Sequence, residues 1–219
     1  NKWYGILVGR QTELTVDNCQ FGGCATLNCP NIGVDDWYAL TIRDTRFVDF
    51  GYYADETRIK TGWNTNTYWM RAINGAEPTQ GFQRDTVIIE NVTCDEGNLY
   101  CVFVEDAGNV QLNSIHCNSG SDVALSSINI KDVTNLTVKD SSVHEVNYLG
   151  TNGLNAENVV NASVDGLLLE GVVTNLNLTG TTNRLRLRNS TGVTLVNTAA
   201  AFIDADQAMP ATASAAALA

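Results

Sequence analysis

The sequence predicts an all-β parallel β-helix of about eight or nine coils, each made of three short strands. Three observations predict it. A short phrase of alternating apolar and polar residues, ending in Asn or Asp, recurs along the chain. The recurrence has a nearly constant spacing. The segments between recurrences carry turn residues and leave no room for a helical period.

The phrase appears as Leu14-Thr15-Val16-Asp17-Asn18 and Leu40-Thr41-Ile42-Arg43-Asp44. It returns as Val87-Ile88-Ile89-Glu90-Asn91, Val110-Gln111-Leu112-Asn113-Ser114 and Leu136-Thr137-Val138-Lys139-Asp140. Ala162-Ser163-Val164-Asp165-Gly166 and Leu185-Arg186-Leu187-Arg188-Asn189 complete the series. With the second apolar residue as marker, the steps are 26, 47, 23, 26, 26 and 23 residues. The long step reads as two coils, which places one degenerate coil near Arg58 to Ala72.

A period of two puts the marker and the residue two before it inward, with Thr15, Thr41, Gln111 and Thr137 outward. A second strand follows in each coil, with Thr45/Phe47, Val92/Cys94, Ile115/Cys117 and Ser141/Val143 among its inward pairs. A third closes the coil through Val102/Val104, Ile128/Ile130, Leu154/Ala156 and Leu176/Leu178. Asp106, Asp132 and Asn158 recur before the marker strand as turn residues, because Asn and Asp tolerate the left-handed conformation. Asn109, Asn135 and Asn161 are placed to stack as an amide ladder. At about 4.8 Å per coil the rod is about 40 Å long.

Residues 1–198 are expected to form this domain and the Ala-rich stretch 199–219 a tail or linker. The chain opens at Asn1 in what already reads as strand, as expected of a fragment or processed product. A β-sandwich would need hairpin signals between paired strands, whereas this repeat runs in one direction; leucine-rich repeats need a fixed leucine array, which is absent.

The net charge is −11, with charged residues at 17% and no Lys/Arg cluster, which argues against a nucleic-acid partner. No apolar run is long enough to insert in a membrane. Six cysteines occur without a CxxC pair and His is scarce, so no metal site and no cofactor is expected. Cys94 can bridge to Cys101 across a turn or to Cys117 in the next coil, or all can stay buried thiols. Asp17 over Arg43 and Lys139 over Asp165 read as exposed cross-coil ion pairs. Five Asn-x-Ser/Thr triplets start at Asn91, Asn135, Asn161, Asn177 and Asn189, and the repeat phrase itself generates such triplets.

Glycoside cleavage needs two carboxyl groups, and the candidates are Asp35, Asp36, Asp55 and Glu56. Aromatic rings stack on sugars while polar groups hold hydroxyls. All four Trp lie in the first third of the chain, so Trp37, Trp63, Tyr68 and Trp69 are candidate substrate-binding residues. The competing reading of these aromatics is packing beneath a long loop, or a subunit contact.

The repeat over residues 6 to 198 resembles the right-handed pectin-lyase-like β-helix superfamily, and right-handedness is what that resemblance implies. Locally, Asp35-Asp36 and Arg58-Ile59-Lys60-Thr61 resemble elements of polygalacturonase-type glycosidases, which implies binding of an anionic sugar by Arg58 and Lys60. The Asn-Thr-Asp and Gly-His-Gly elements of that family are absent, and the two His residues, His116 and His144, come later in the chain. The irregular Asn/Thr-rich coils and absent catalytic signature are similar to phage tailspike and tail-fibre β-helices. That resemblance implies an extracellular or virion-surface homotrimer that recognises, and in some cases depolymerises, a cell-surface polysaccharide. A secreted polygalacturonase-like glycosidase or lyase is the second reading, and a spacer, adhesin or filament subunit the third. Whether the protein is an enzyme is left open; if it is, the resemblance implies a glycoside hydrolase or polysaccharide lyase.

Overall fold

The structure, a computed structural model, describes residues 6–22, 32–48, 68–73, 86–95, 100–119, 127–145, 152–171, 175–206 and 211–212. Its described elements are all strands, and all pair in parallel within one sheet that winds on itself as a right-handed β-solenoid. Successive parallel strands need crossover connections, and right-twisted strands favour right-handed ones.

Three faces alternate along the chain. The marker face follows the repeated phrase: β1 (Ile6–Asp17) pairs with β3 (Ile32–Val48) through Val16↔Ile42. The same ladder passes through β5 (Thr86–Asp95), β6 (Tyr100–Ser119), β7 (Ile128–Lys139) and β9 (Asn152–Asp165). Its partners there are Ile42↔Ile89, Ile89↔Leu112, Leu112↔Val138 and Val138↔Val164. It continues as Val164↔Leu187 into β12 (Arg184–Arg188). The second face stacks Phe21, Phe47, Cys94, Cys117, Val143 and Leu169, with β2 (Gln20–Gly22), β8 (Ser142–Glu145) and β10 (Leu168–Gly171) as its own short strands. The third face stacks Val102, Ile128, Leu154 and Leu176, the last on β11 (Asn175–Thr179). These are the inward columns that the alternation predicted.

The step from Ile42 to Ile89 is corrected. The two residues are direct partners, so no coil of its own lies between them. Instead β4 (Tyr68–Ile73) inserts into the third face between β3 and β6, through Ile32↔Met70 and Met70↔Val102. The additional residues fall within 49–67 and 74–85, outside the described residues. Spacing alone does not distinguish a second coil from a lengthened one; only the pairing partner does.

Pairing also runs past residue 198. β14 (Phe202–Ala205) lies on β12, and β15 (Ala211–Thr212) lies on β13 (Thr194–Asn197). Residues in the Ala-rich stretch therefore extend the ladder, with Ile203 and Ala205 packed against the core.

The core is an apolar column. Ile42, Ile89, Leu112, Leu136 and Val138 on the marker face are at most 1% exposed, as are Ile128, Ile130 and Leu154 on the third. Each such side chain contributes about 1.5–3 kcal/mol by burial, set against about 1–2 kcal/mol of backbone entropy per ordered residue. A slip of one residue would turn the whole column outward, which fixes the register.

The corners explain the terminal Asn/Asp of the phrase. Asn18, Asp44, Asn91, Ser114, Asp140, Gly166 and Asn189 occupy one column, and every one has positive φ, between 45° and 74°. A left-handed residue costs least for Gly, Asn and Asp. The predicted turn residues Asp106, Asp132 and Asn158 form the equivalent column at the other corner, with φ of 60°, 52° and 54°. After the first corner, Thr45, Ser141 and Ser190 tuck a hydroxyl inward and donate it to the carbonyl two residues back. Ser141 and Ser190 also accept the amide N–H of Ile115 and Leu167 from the neighbouring coil.

Candidate functional site

The sequence-predicted site residues fall in the early coils. Asp35, Asp36 and Trp37 lie on β3, and Tyr68 and Trp69 open β4. The register sets Asp35 beside Gly9 on one side and Ile73 on the other, Trp37 beside Gln11, and Tyr68 beside Tyr100. The two segments thus share neighbouring strands. Asp35 nevertheless aligns with the end of β4, five residues from Tyr68, or about 16 Å along the strand. Asp55, Glu56, Arg58, Lys60 and Trp63 lie outside the described residues.

A polar surface that the sequence reading missed lies on the outside of the second face. The inward column of Phe47, Cys94, Cys117 and Val143 alternates with two outward rows. One row is Arg46, Thr93, His116 and Ser142; the other is Asp95, Asn118, His144 and Glu170. Both histidines of the chain are therefore on one face, in adjacent coils.

The groups are mutually oriented. Arg46 donates from Nε (3.1 Å) and Nη2 (2.9 Å) to Oδ2 of Asp95, and Asn118 Nδ2 donates to Oδ1 of the same carboxylate at 3.0 Å. His116 Nδ1 and Ser142 Oγ share a hydrogen bond of 2.9 Å. His144 Nδ1 lies 3.5 Å from Glu170 Oε2. His116 is half-buried, and His144 and Glu170 are exposed. A Ser–His contact of this length is compatible with nucleophile activation. However, the strand amides of this face are committed to parallel pairing, so they offer no oxyanion donors. The arrangement presents donors and acceptors at every coil. Aligning positions 95, 118, 144 and 170 by their steps of 23, 26 and 26 residues is the signal that would have found the row.

Elsewhere, polar residues bond to one another along the rod. Asn135 Nδ2 donates to Asn109 Oδ1 at 3.0 Å and Asn161 Nδ2 to Asn135 Oδ1 at 3.1 Å, which is the expected ladder. A second one, Asn177 to Asn155 to Asn129 at 2.8 and 2.7 Å, runs along the third face. All five triplet asparagines donate their side-chain amide to a neighbouring coil: Asn91 to Asp44, Asn189 to Asp165, and the other three within these ladders. Each triplet asparagine thus has a structural role between coils. Arg43 reaches Asp17 at 2.8 Å as expected, and Lys131 bonds Glu105 at 2.8 Å. Lys139 and Asp165 are direct partners in the register. The hydrogen bond from Arg43 holds the Asp17 carboxyl below its ordinary value, and one from Arg188 does the same for Asp204. Glu105 raises the Lys131 ammonium above its own.

Of the cysteine alternatives, the structure has the Cys94–Cys101 bridge, with Cα atoms 6.2 Å apart. Cys117 is buried outside that bridge and Cys19 is half-buried. The sulfurs of Cys94, Cys101 and Cys117 all lie within 4.8 Å of one another. Among the described residues no helix is long and apolar enough to cross a membrane. The chain matches no protein-family model, no curated protein and no solved structure.

Proposed function

We propose that this solenoid is a surface module that recognises a polysaccharide lying along its axis, across the second face. The observation that supports the reading is the pair of outward polar rows through His116/Ser142 and Asn118/His144. Strands repeat at about 4.8 Å, so a linear polymer meets a polar donor or acceptor at each step. Sugar hydroxyls are read by such groups. The tailspike-like form of this proposal has the protein on a virion or outside the cell, as a homotrimer. A separate catalytic proposal, which does not use the second face, assigns cleavage to Asp35, Asp36, Asp55 and Glu56, with Trp37, Arg58, Lys60, Trp63, Tyr68 and Trp69 holding the chain.

Binding of the wild type to a panel of surface polysaccharides tests the reading. Loss of one ligand hydrogen bond costs about 0.5–1.5 kcal/mol, so His144→Ala with Asn118→Ala is expected to weaken binding about tenfold or more. No binding across a wide panel, or binding indifferent to both substitutions, would sink it. Loss of turnover with retained binding in Asp36→Asn supports cleavage, whereas an inactive wild type removes it. A second reading, a structural spacer, is favoured by the ladders and ion pairs that engage so many of the polar side chains. A rod that binds no glycan would support that one.

A further inference from the structure

Cys94 has two potential partners. It is bridged to Cys101, and it is the direct register partner of Cys117 in the next coil. Neighbouring strands stand about 4.8 Å apart, inside the roughly 4.4–6.8 Å range of Cα separations that a disulfide spans; the 6.2 Å between Cys94 and Cys101 falls inside it too. All three residues are at most 1% exposed. In the column Cys94 and Cys117 are flanked by Phe47 and Val143, both fully buried. The sulfurs are closed off from bulk reagents and close to one another.

We propose that Cys94, Cys101 and Cys117 form an internal thiol–disulfide exchange centre with two bridged states. The Cys117 thiolate attacks Sγ of Cys94. The Cys94–Cys117 bond forms as the Cys94–Cys101 bond breaks, and Cys101 leaves as a thiolate that takes the proton Cys117 gave up. No electrons enter or leave the trio. Rotation of the Cys117 side chain closes a gap of at most 4.8 Å. The first state clips the corner between the second and third faces of one coil. The second staples two coils together and frees Cys101 from the bridge. Exchange proceeds through the thiolate, so its rate rises with pH.

Glu-specific cleavage separates the three: Cys94 falls in the peptide Asn91–Glu96, Cys101 in Gly97–Glu105 and Cys117 beyond Glu105. The folded wild type is held without oxygen at about pH 8 and then unfolded in acid, alkylated, cleaved and analysed by mass spectrometry. The expected result is a Cys94–Cys117 linkage together with alkylated Cys101, both lost in Cys117→Ser. Alkylation of Cys117 with none of Cys101 at every time point would overturn the proposal. Cys101→Ser, refolded in an oxidising glutathione buffer, is expected to contain the Cys94–Cys117 bridge. A folded variant with both as thiols would also overturn it. If that variant does not fold, the wild-type measurement decides.

Discussion

Replacing Asn155 by Ala tests whether the third-face ladder stabilises the solenoid through burial. Asn155 donates to Asn129 at 2.7 Å and accepts from Asn177 at 2.8 Å. Truncation removes both bonds, at about 1 kcal/mol each. It also leaves the Asn129 carbonyl oxygen without that donor on a residue only 9% exposed, which adds about 1–3 kcal/mol. The expected loss is about 3–5 kcal/mol. The matched control is Asn135→Ala, which also removes two ladder bonds. There the orphaned groups belong to Asn109, which is half-buried, and Asn161, which is exposed, so water reaches them more readily and about 1–2 kcal/mol is expected. Urea unfolding followed by circular dichroism gives both values. Hydrogen exchange of the amides of β7, β9 and β11 localises them, since stacked coils unfold regionally. A cost for Asn135→Ala equal to or above that of Asn155→Ala would refute the burial reasoning. Asn155→Asp adds a sign test: a carboxylate still accepts from Asn177 but has no proton for Asn129. Its folded pKa is expected above the unfolded value of about 3.9, so the variant's stability is fully present below that value and is lost as pH rises from it through the folded pKa.

Three further expectations follow from the corners, ion pairs and last rungs. Gly166 has φ +74°, and an added Cβ would sit 2.8 Å from Asp140 Oδ1; Gly166→Ala should cost about 2 kcal/mol, read as a lower unfolding midpoint. Gly166→Asn should cost less, because its amide could bond Asp140 as Asn91 bonds Asp44 at 2.6 Å; an equal cost would contradict the corner account. The pKa values of Asp17 and Asp204 are lowered in the fold by Arg43 and Arg188. Their contribution is therefore present above the ordinary value of 3.8 and disappears as pH falls through the folded one. Lys131, raised by Glu105, contributes below its ordinary 10.5 and loses that contribution as pH rises through the folded value. A pH series of unfolding midpoints should show a shallower acid limb in Asp204→Asn than in the wild type. Arg188 donates to the carbonyls of Leu187 and Asp204 and to the Asp204 carboxylate, so Arg188→Ala should raise the exchange rate of amides in β14 before those in β9.

By itself the sequence determined the class of fold. Alternation of period two fixed which residues of each phrase face the core, and the 23- and 26-residue steps fixed which residues stack. Both are local patterns with one physical solution, a column of apolar side chains between parallel strands. Hence Leu112, Ile130 and Val143 were legible as core, and Asn135 as a ladder residue. The tertiary structure alone decided what depends on the partner of a strand. The 47 residues from Ile42 to Ile89 are compatible with one coil or two, and only their direct pairing shows one. The bridge from Cys94 to Cys101 was one of several open choices, because two cysteines lay within reach of the same sulfur. The row from Asp95 to Glu170 was scattered over 76 positions of sequence and became a surface only when its coils were stacked. A periodic core announces itself in any one repeat, whereas a site assembled across repeats exists only in their register.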